Sequence, residues 1–256
     1  MLAPGRVLEH NLRVYRRTWR GSLLVSFVSP VLFLVAIGVG LGSLVNRAAG
    51  GAVGGVPYVQ FVAAGLLAAN AMQTAGAEAS YPIMAKVLWY RTYEAMLATP
   101  LATADLVVGE LLWMSLRLLL AATSFFLVMT AFGAVRSPWG VLAIPAAVLT
   151  GLAFAMPIAA FAAAQRTDTP FSLLFRFVLL PLFLFSGTFF PVERLPMALQ
   201  VAAWASPLFH GVALTRAFAL GGVAPGPLLL HIAVLLLCVL TGAVAARFTF
   251  ARSLLK

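Results

Sequence analysis

The feature that most limits the fold is a succession of apolar runs about twenty residues long, each closed off by a short charged or Pro/Gly-rich joint. A helix needs about 20 apolar residues to cross a hydrocarbon layer about 30 Å thick. Only a backbone hydrogen-bonded within itself survives there, because no water satisfies its polar groups. Measured this way, the sequence predicts an all-α integral membrane fold with six transmembrane helices, at about residues 21–45, 57–79, 106–133, 139–164, 170–185 and 227–250. The whole of 1–256 reads as a single transmembrane domain. The first run is too long for a signal-peptide core and lacks a small-residue cleavage site, so it is expected to be retained. A Gly-rich loop, Asn46 to Val56, follows it.

Two segments break the pattern. Residues 81–105 mix Lys86, Arg91, Glu94 and Asp105 with Trp89, Tyr90 and Tyr93, the blend of an interfacial amphipathic segment, and are expected to be a loop with helical content. Residues 186–226 carry Pro191, Pro196 and Pro207, are too broken to cross, and are expected to dip in from the outer side and return.

Composition excludes a water-soluble fold, because the chain is 62% hydrophobic and 9% charged, against roughly 25% charged residues in a soluble domain. A net charge of +10 would suggest nucleic acid in a soluble protein. Here the basic residues cluster between spans, as topogenic charges do, and no nucleic-acid partner is expected. With the N-terminus inside, the inner segments hold eleven Lys and Arg: Arg6, Arg13, Arg16, Arg17, Arg20, Lys86, Arg91, Arg166, Arg247, Arg252 and Lys256. The outer segments hold four: Arg47, Arg136, Arg194 and Arg216. The imbalance and an even number of spans both predict cytoplasmic termini.

Ahead of the first span, Leu8, Leu12, Tyr15 and Trp19 form one helical stripe, while Arg6, Arg13, Arg17 and Arg20 fall on another face. Residues 1–20 are therefore expected to lie on the inner leaflet as an interface helix, with Arg13, Arg17, Trp19 and Arg20 at the lipid headgroups.

No phosphate-cradling loop precedes Lys86 or Lys256, and Gly38, Gly40 and Gly42 lie inside a span, where they suit close helix packing. His10, His210 and His231 are far apart in the chain without ligand spacing, so no metal site is expected. The lone Cys238 has no partner for an intrachain disulfide. No catalytic residue is assigned. Ionisable groups inside spans are costly and so draw attention. Glu78 and Glu110 read as inter-helix or interfacial pairs, whereas Arg117 and Arg176 sit deeper and are candidates to line a polar cavity.

Two stretches resemble a known family. Tyr90-Arg91-Thr92-Tyr93-Glu94-Ala95-Met96-Leu97-Ala98-Thr99-Pro100-Leu101 is similar to the cytoplasmic loop of type-2 ABC exporter permeases. Phe185-Ser186-Gly187-Thr188-Phe189-Phe190-Pro191-Val192-Glu193-Arg194-Leu195-Pro196, then Ser206-Pro207-Leu208-Phe209-His210-Gly211 and Thr215-Arg216, resembles the stretch before the last helix of their nodulation-factor-export-like and daunorubicin-resistance-like branches. The resemblance implies a cytoplasmic coupling helix, two short outer re-entrant helices and a pairing of two permease copies. It also implies separate nucleotide-binding ATPase subunits that carry the ATP and Mg. On that basis Arg91, Tyr93 and Glu94 are the coupling candidates, and Pro191, Glu193, Pro196 and His210 the candidates for an outer gate. The expected role is the membrane subunit of an ATP-driven exporter of an amphipathic, lipid-linked or drug-like compound in a bacterial cytoplasmic membrane. The competing expectations are a stand-alone six-helix secondary transporter or channel, and an intramembrane enzyme.

Overall fold

The structure is a computed structural model that describes residues 3–42, 44, 45, 53, 55–221 and 225–254. Arg47, Lys256 and most of the predicted Gly-rich loop lie outside the described residues. Among the described residues the chain is helical, with a single isolated β-bridge between Val53 and Val56.

Helix α1 (Ala3–Phe33) runs directly into a π-helical segment, Leu34–Leu41. The expected division between an interface helix and a first span is thus absent as a break. Between Gly5 and Pro30 the sequence offers only Gly21 as an interruption, and one glycine weakens a helix by about 1 kcal/mol without ending it. What changes near residue 20 is the composition of the exposed surface. The expected stripe is also corrected: Leu8, Leu12 and Tyr15 pack on the protein core, and Trp19 alone stays 44% exposed.

Next come α2 (Tyr58–Ala79), α3 (Tyr81–Met84) with a π-helical continuation Ala85–Trp89, α4 (Thr92–Leu97) and α5 (Thr103–Ala131). A 3₁₀ turn, Pro138–Leu142, leads into α6 (Ala143–Ala164). The fifth apolar run forms α7 (Thr169–Leu174), a π-helical segment Phe175–Leu179, and α8 (Leu180–Phe185). Pro181 accounts for that widening, since its ring displaces the carbonyl four residues back and it lacks an N–H to close the tighter ring. A 3₁₀ turn at Val192–Arg194, α9 (Met197–Trp204), α10 (Pro207–Leu220) and α11 (Pro225–Leu254) complete the chain.

Among the described residues four helices are long and apolar enough to cross a membrane: Ala3–Gly38, Thr103–Ala131, Pro138–Ala164 and Gly226–Leu254. Helices α9 and α10 meet at 80° and add a fifth if they are counted as one broken span. Helix α2 has the length, yet Gln60, Asn70, Gln73 and Glu78 make it too polar to qualify by composition. It tolerates those groups because α5, α6 and α10 surround it and bury most of its length. The helix Thr169–Phe185 is apolar but shorter.

Helix α6 is the hub, packed against α2, α5, α10 and α11. Its contacts are close because small residues face one another, as membrane helices require when no hydrophobic force draws them together. A Cβ on Gly242 of α11 would stand 2.5 Å from Pro157 Cδ and 2.6 Å from its backbone nitrogen. A Cβ on Gly151 would stand 2.5 Å from a Leu118 methyl of α5. At Gly211, at the start of α10, it would overlap the Thr150 side chain. Outside this core, Leu24, Val25 and Leu32 of α1 and Leu229, Leu237, Leu240 and Phe248 of α11 are exposed, a greasy surface suited to acyl chains rather than water.

Candidate functional site

The two ends of the bundle gather different sets of polar residues. At one end, Glu94 of α4, Gln165 and Arg166 after α6, and Thr249, Arg252 and Ser253 of α11 line a single cleft of about 450 Å³. At the other, the Arg136 and Ser137 amides donate to the Ala219 carbonyl at the end of α10 (2.9 and 3.1 Å). The segment 81–105, the α6–α7 joint and the end of α11 therefore share one face, while residues 136, 193 and 216 lie toward the opposite one.

The first end is built around a buried ion pair. Lys86 Nζ lies 2.7 Å from Glu110 Oε1 and 2.9 Å from Asn11 Oδ1, and the Asn11 amide donates to the same Glu110 oxygen at 3.2 Å. Glu110 is 1% exposed. The cluster joins α1, the π segment after α3, and α5 in one polar knot. Lys86 also sits 5.8 Å from the centre of the Tyr93 ring, which packs at 5.3 Å on Phe250 of α11. Burial, and then the Glu110 charge, hold the Tyr93 phenol well above its ordinary range, so it stays neutral.

The coupling trio is thereby divided. Arg91 and Glu94 are exposed and form a loose 3.8 Å pair, which counts for little in water. Tyr93 is fully buried and anchors α4 to the bundle instead of reaching outward. Arg91 adopts the left-handed region (φ 48°), a conformation costing a non-glycine residue about 1–2 kcal/mol. That turn separates the π segment from α4 and gives the knob its corner. Trp89 and Tyr90 beside it are exposed.

Arg13, Arg17, Trp19 and Arg20 are exposed, with the Arg20 guanidinium 5.7 Å from the Trp19 ring. Arg117 and Arg176 do not meet. Arg117 donates from Nε to Glu78 Oε1 at 2.8 Å and from Nη2 to Ser22 Oγ at 3.2 Å, has Nη2 2.7 Å from the same Glu78 oxygen, and lies over the Tyr15 ring at 4.7 Å. Arg176 is exposed on α7–α8 among Phe177, Val178 and Leu180. A shared polar cavity is therefore replaced by an inter-helix pair for Arg117 and a surface position for Arg176. Nearby, Phe33, Met72, Gln73, Phe175 and Phe183 line an apolar groove of about 500 Å³.

At the other end, Pro191 and Glu193 line a cavity of about 270 Å³ with Arg216, while Pro196 caps the start of α9. His210 belongs to a different contact: its Nδ1 lies 2.7 Å from Nδ1 of His231, and its Nε2 lies 3.0 Å from the Trp204 carbonyl. Because a carbonyl only accepts, His210 carries its proton on Nε2 when neutral, and His231 then donates to it. Two histidines that are distant in the sequence thus fasten the α9–α10 corner to α11. Among the described residues no group of three or more metal-binding side chains is found.

A helical membrane bundle with a charged knob at one end and a bent helix pair at the other is the frame of a transporter's membrane subunit, and residues 6–220 match the family model described as ABC-2 type transporter. The chain belongs to that family and is a multi-pass integral membrane protein. It is 34% identical to nodulation protein J of Rhizobium leguminosarum bv. viciae over 84% of this chain and 81% of that protein. It is 35% identical to nodulation protein J of Sinorhizobium fredii over 90% and 85%, and 33% identical to that of Neorhizobium galegae over 90% and 86%. No solved structure matches it. The family consists of membrane subunits of ABC transporters, which are not themselves the ATPase.

Proposed function

We propose that this chain is the membrane subunit of an exporter that carries an amphipathic, lipid-linked or drug-like compound from the inner leaflet outward across a bacterial cytoplasmic membrane. Power comes from separate ATPase subunits that hold ATP and Mg. The observation that carries this reading is the knob: exposed Arg91 and Glu94 on a short helix whose buried Tyr93 bolts it to the end of α11 and, through Lys86 and Glu110, to α1 and α5. A partner gripping that knob acts on three long helices at once. A ligand shifts an equilibrium only through differential contact with its two states, and a rigid handle supplies such contact. The exposed arginines of α1 suit anionic headgroups of the inner leaflet.

In this reading the chain crosses six times, with α2 and Thr169–Phe185 adding to the four clearly apolar helices, α9–α10 re-entrant from outside, and both termini cytoplasmic. Two copies pair. Support for pairing comes from Arg176, since an arginine on an exposed apolar helix face is poorly tolerated by acyl chains and better placed toward a second subunit or a water-filled path.

Coupling is tested by copurifying the ATPase and following export in the same cells. Glu94→Ala and Arg91→Ala are expected to weaken assembly or uncouple hydrolysis from export while insertion and melting stay normal, because both side chains are exposed. Losing one partner of a charged pair that is desolvated on docking costs about 2–5 kcal/mol. Wild-type assembly and export by both variants would move the coupling contact elsewhere. Topology is tested with cysteines in a Cys238→Ala background: position 136 and position 193 should react with a membrane-impermeant thiol reagent in sealed cells, and position 91 only after lysis. Labelling of position 91 from outside would invert the arrangement.

A further inference from the structure

We propose that the outer cavity is a binding site for an oxyanion, a carboxylate, phosphate or sulfate group, held by Arg216. Three arginine or lysine side chains are drawn into the bundle, and two of them have carboxylates: Lys86 pairs with Glu110 at 2.7 Å and Arg117 with Glu78 at 2.7 Å. Arg216 has none among the described residues. Its guanidinium donates through Nη2 alone, to the Gly187 carbonyl at 2.9 Å and the Phe61 carbonyl at 3.3 Å, and lies 3.8 Å from the centre of the Phe61 ring. Its Nε is buried and makes no hydrogen bond. A buried cation is costly unless it is paired, and a guanidinium left with open N–H groups in a fixed fork matches an oxyanion.

The surroundings are built for such a guest. The cavity of about 270 Å³ has Arg216 and Glu193 in its wall, with apolar walls from Phe61, Val192, Phe209 and Val212. It holds an anionic group together with a few carbons of an amphiphile. The arm of Arg216 is fixed by close packing: a Cβ on Gly65 would stand 3.2 Å from its Nη2 and 2.9 Å from the Thr188 carbonyl. Only a glycine there lets the re-entrant loop and the guanidinium reach α2 together. Glu193 is exposed in the same wall and, although it forms no salt bridge among the described residues, its charge acts on Arg216 across the cavity, so it competes with an incoming anion and sets the affinity. The site stands independently of export, though on the export reading it lies on the releasing side.

The test follows the melting of the full chain in phosphatidylcholine nanodiscs by tryptophan fluorescence. One arm compares sodium sulfate and sodium phosphate with sodium chloride at equal ionic strength, and the other adds phosphatidylglycerol to the disc. Stabilisation in the first arm identifies a free anion and in the second a lipid headgroup. Because other arginines also meet anions, the reading is the difference between variants. Arg216→Gln and the cavity-filling Ala213→Leu should lose the anion-dependent shift, and Glu193→Gln should enlarge it and lower the anion concentration that half-saturates it. If Arg216→Gln does not fold, Ala213→Leu and Glu193→Gln decide. No shift in either arm, or shifts unchanged in Ala213→Leu and Glu193→Gln, would overturn the site and leave Arg216 as a clamp on the loop, whatever the outcome for export.

Discussion

Glu110→Ala is expected to destabilise the chain by about 3–5 kcal/mol, the cost of leaving a buried cation without its partner. Lys86 would lose its 2.7 Å contact while retaining only Asn11, and both remain in a region with little access to water. The same change frees the π segment after α3 from α5, and with it the base of α4. Loss of stability should therefore be accompanied by loss of ATPase copurification, whereas Glu94→Ala should affect copurification alone. Thermal unfolding in detergent or nanodiscs separates the two. Lys86→Met combined with Glu110→Leu should recover much of the stability, because a buried ion pair replaced by apolar groups of similar size is often no worse off. Recovery of stability without recovery of coupling would assign the pair to signalling. A Glu110→Ala chain that melts like wild type would show that the knot is not structural.

The second large effect is expected at Gly242. Alanine there places a methyl 2.5 Å from Pro157 Cδ and 2.6 Å from the Pro157 nitrogen, and neither atom belongs to a side chain that can rotate away. The α6–α11 pair must separate along its most extensive contact. Overpacking a well-fitted core costs about 1–3 kcal/mol, more when backbone has to move, so Gly242→Ala should fall at or above the top of that range. Gly211→Ala is the informative contrast. Its obstruction is the Thr150 side chain, buried and donating to Ala146 at 2.7 Å, so Thr150→Ala should relieve much of the Gly211→Ala defect and none of that at Gly242. Equal melting of Gly242→Ala and wild type would mean that α6 and α11 do not approach as described.

Several elements were legible before the structure. Predicted spans 106–133, 139–164 and 227–250 correspond to α5, to Pro138–Ala164 and to α11 because each is a long apolar run closed by charges or Pro/Gly. The predicted span 57–79 coincides with α2 to within a residue at its start, since Pro57 and Ser80 bound it. The direction faced by Leu8, Leu12 and Tyr15 is not legible, because a hydrophobic stripe looks the same whether it faces lipid or protein. Only the presence of α5, with Trp113 in edge-on contact with Tyr15 at 5.6 Å, shows that this stripe faces inward.

Candidate residues divide along the same line. Exposure of Arg91 and Glu94 follows from the polarity of their loop. Burial of Tyr93 does not, because the aromatic ring that receives it belongs to Phe250, near the far end of the chain. The Lys86–Glu110 pair spans 24 positions, and Arg216 reaches carbonyls 29 and 155 positions away. No spacing rule connects such residues; the nearest signal was the presence of ionisable groups in or beside apolar runs, which marks a cost without naming the partner that offsets it.

By itself, then, the sequence determined that the chain is a helical membrane protein, where most of its helices lie and which loops share a side, because the bilayer permits one backbone solution and charge resists crossing it. Tertiary structure decided which charges are paired, that α2 is the sheltered polar helix, that Tyr93 is an anchor, that His210 meets His231, and that Arg216 shares a cavity wall with Glu193 without forming a salt bridge among the described residues. Those outcomes depend on how helices far apart in the chain approach one another, and that approach is set by glycines and alanines whose identities reveal closeness but not the partner.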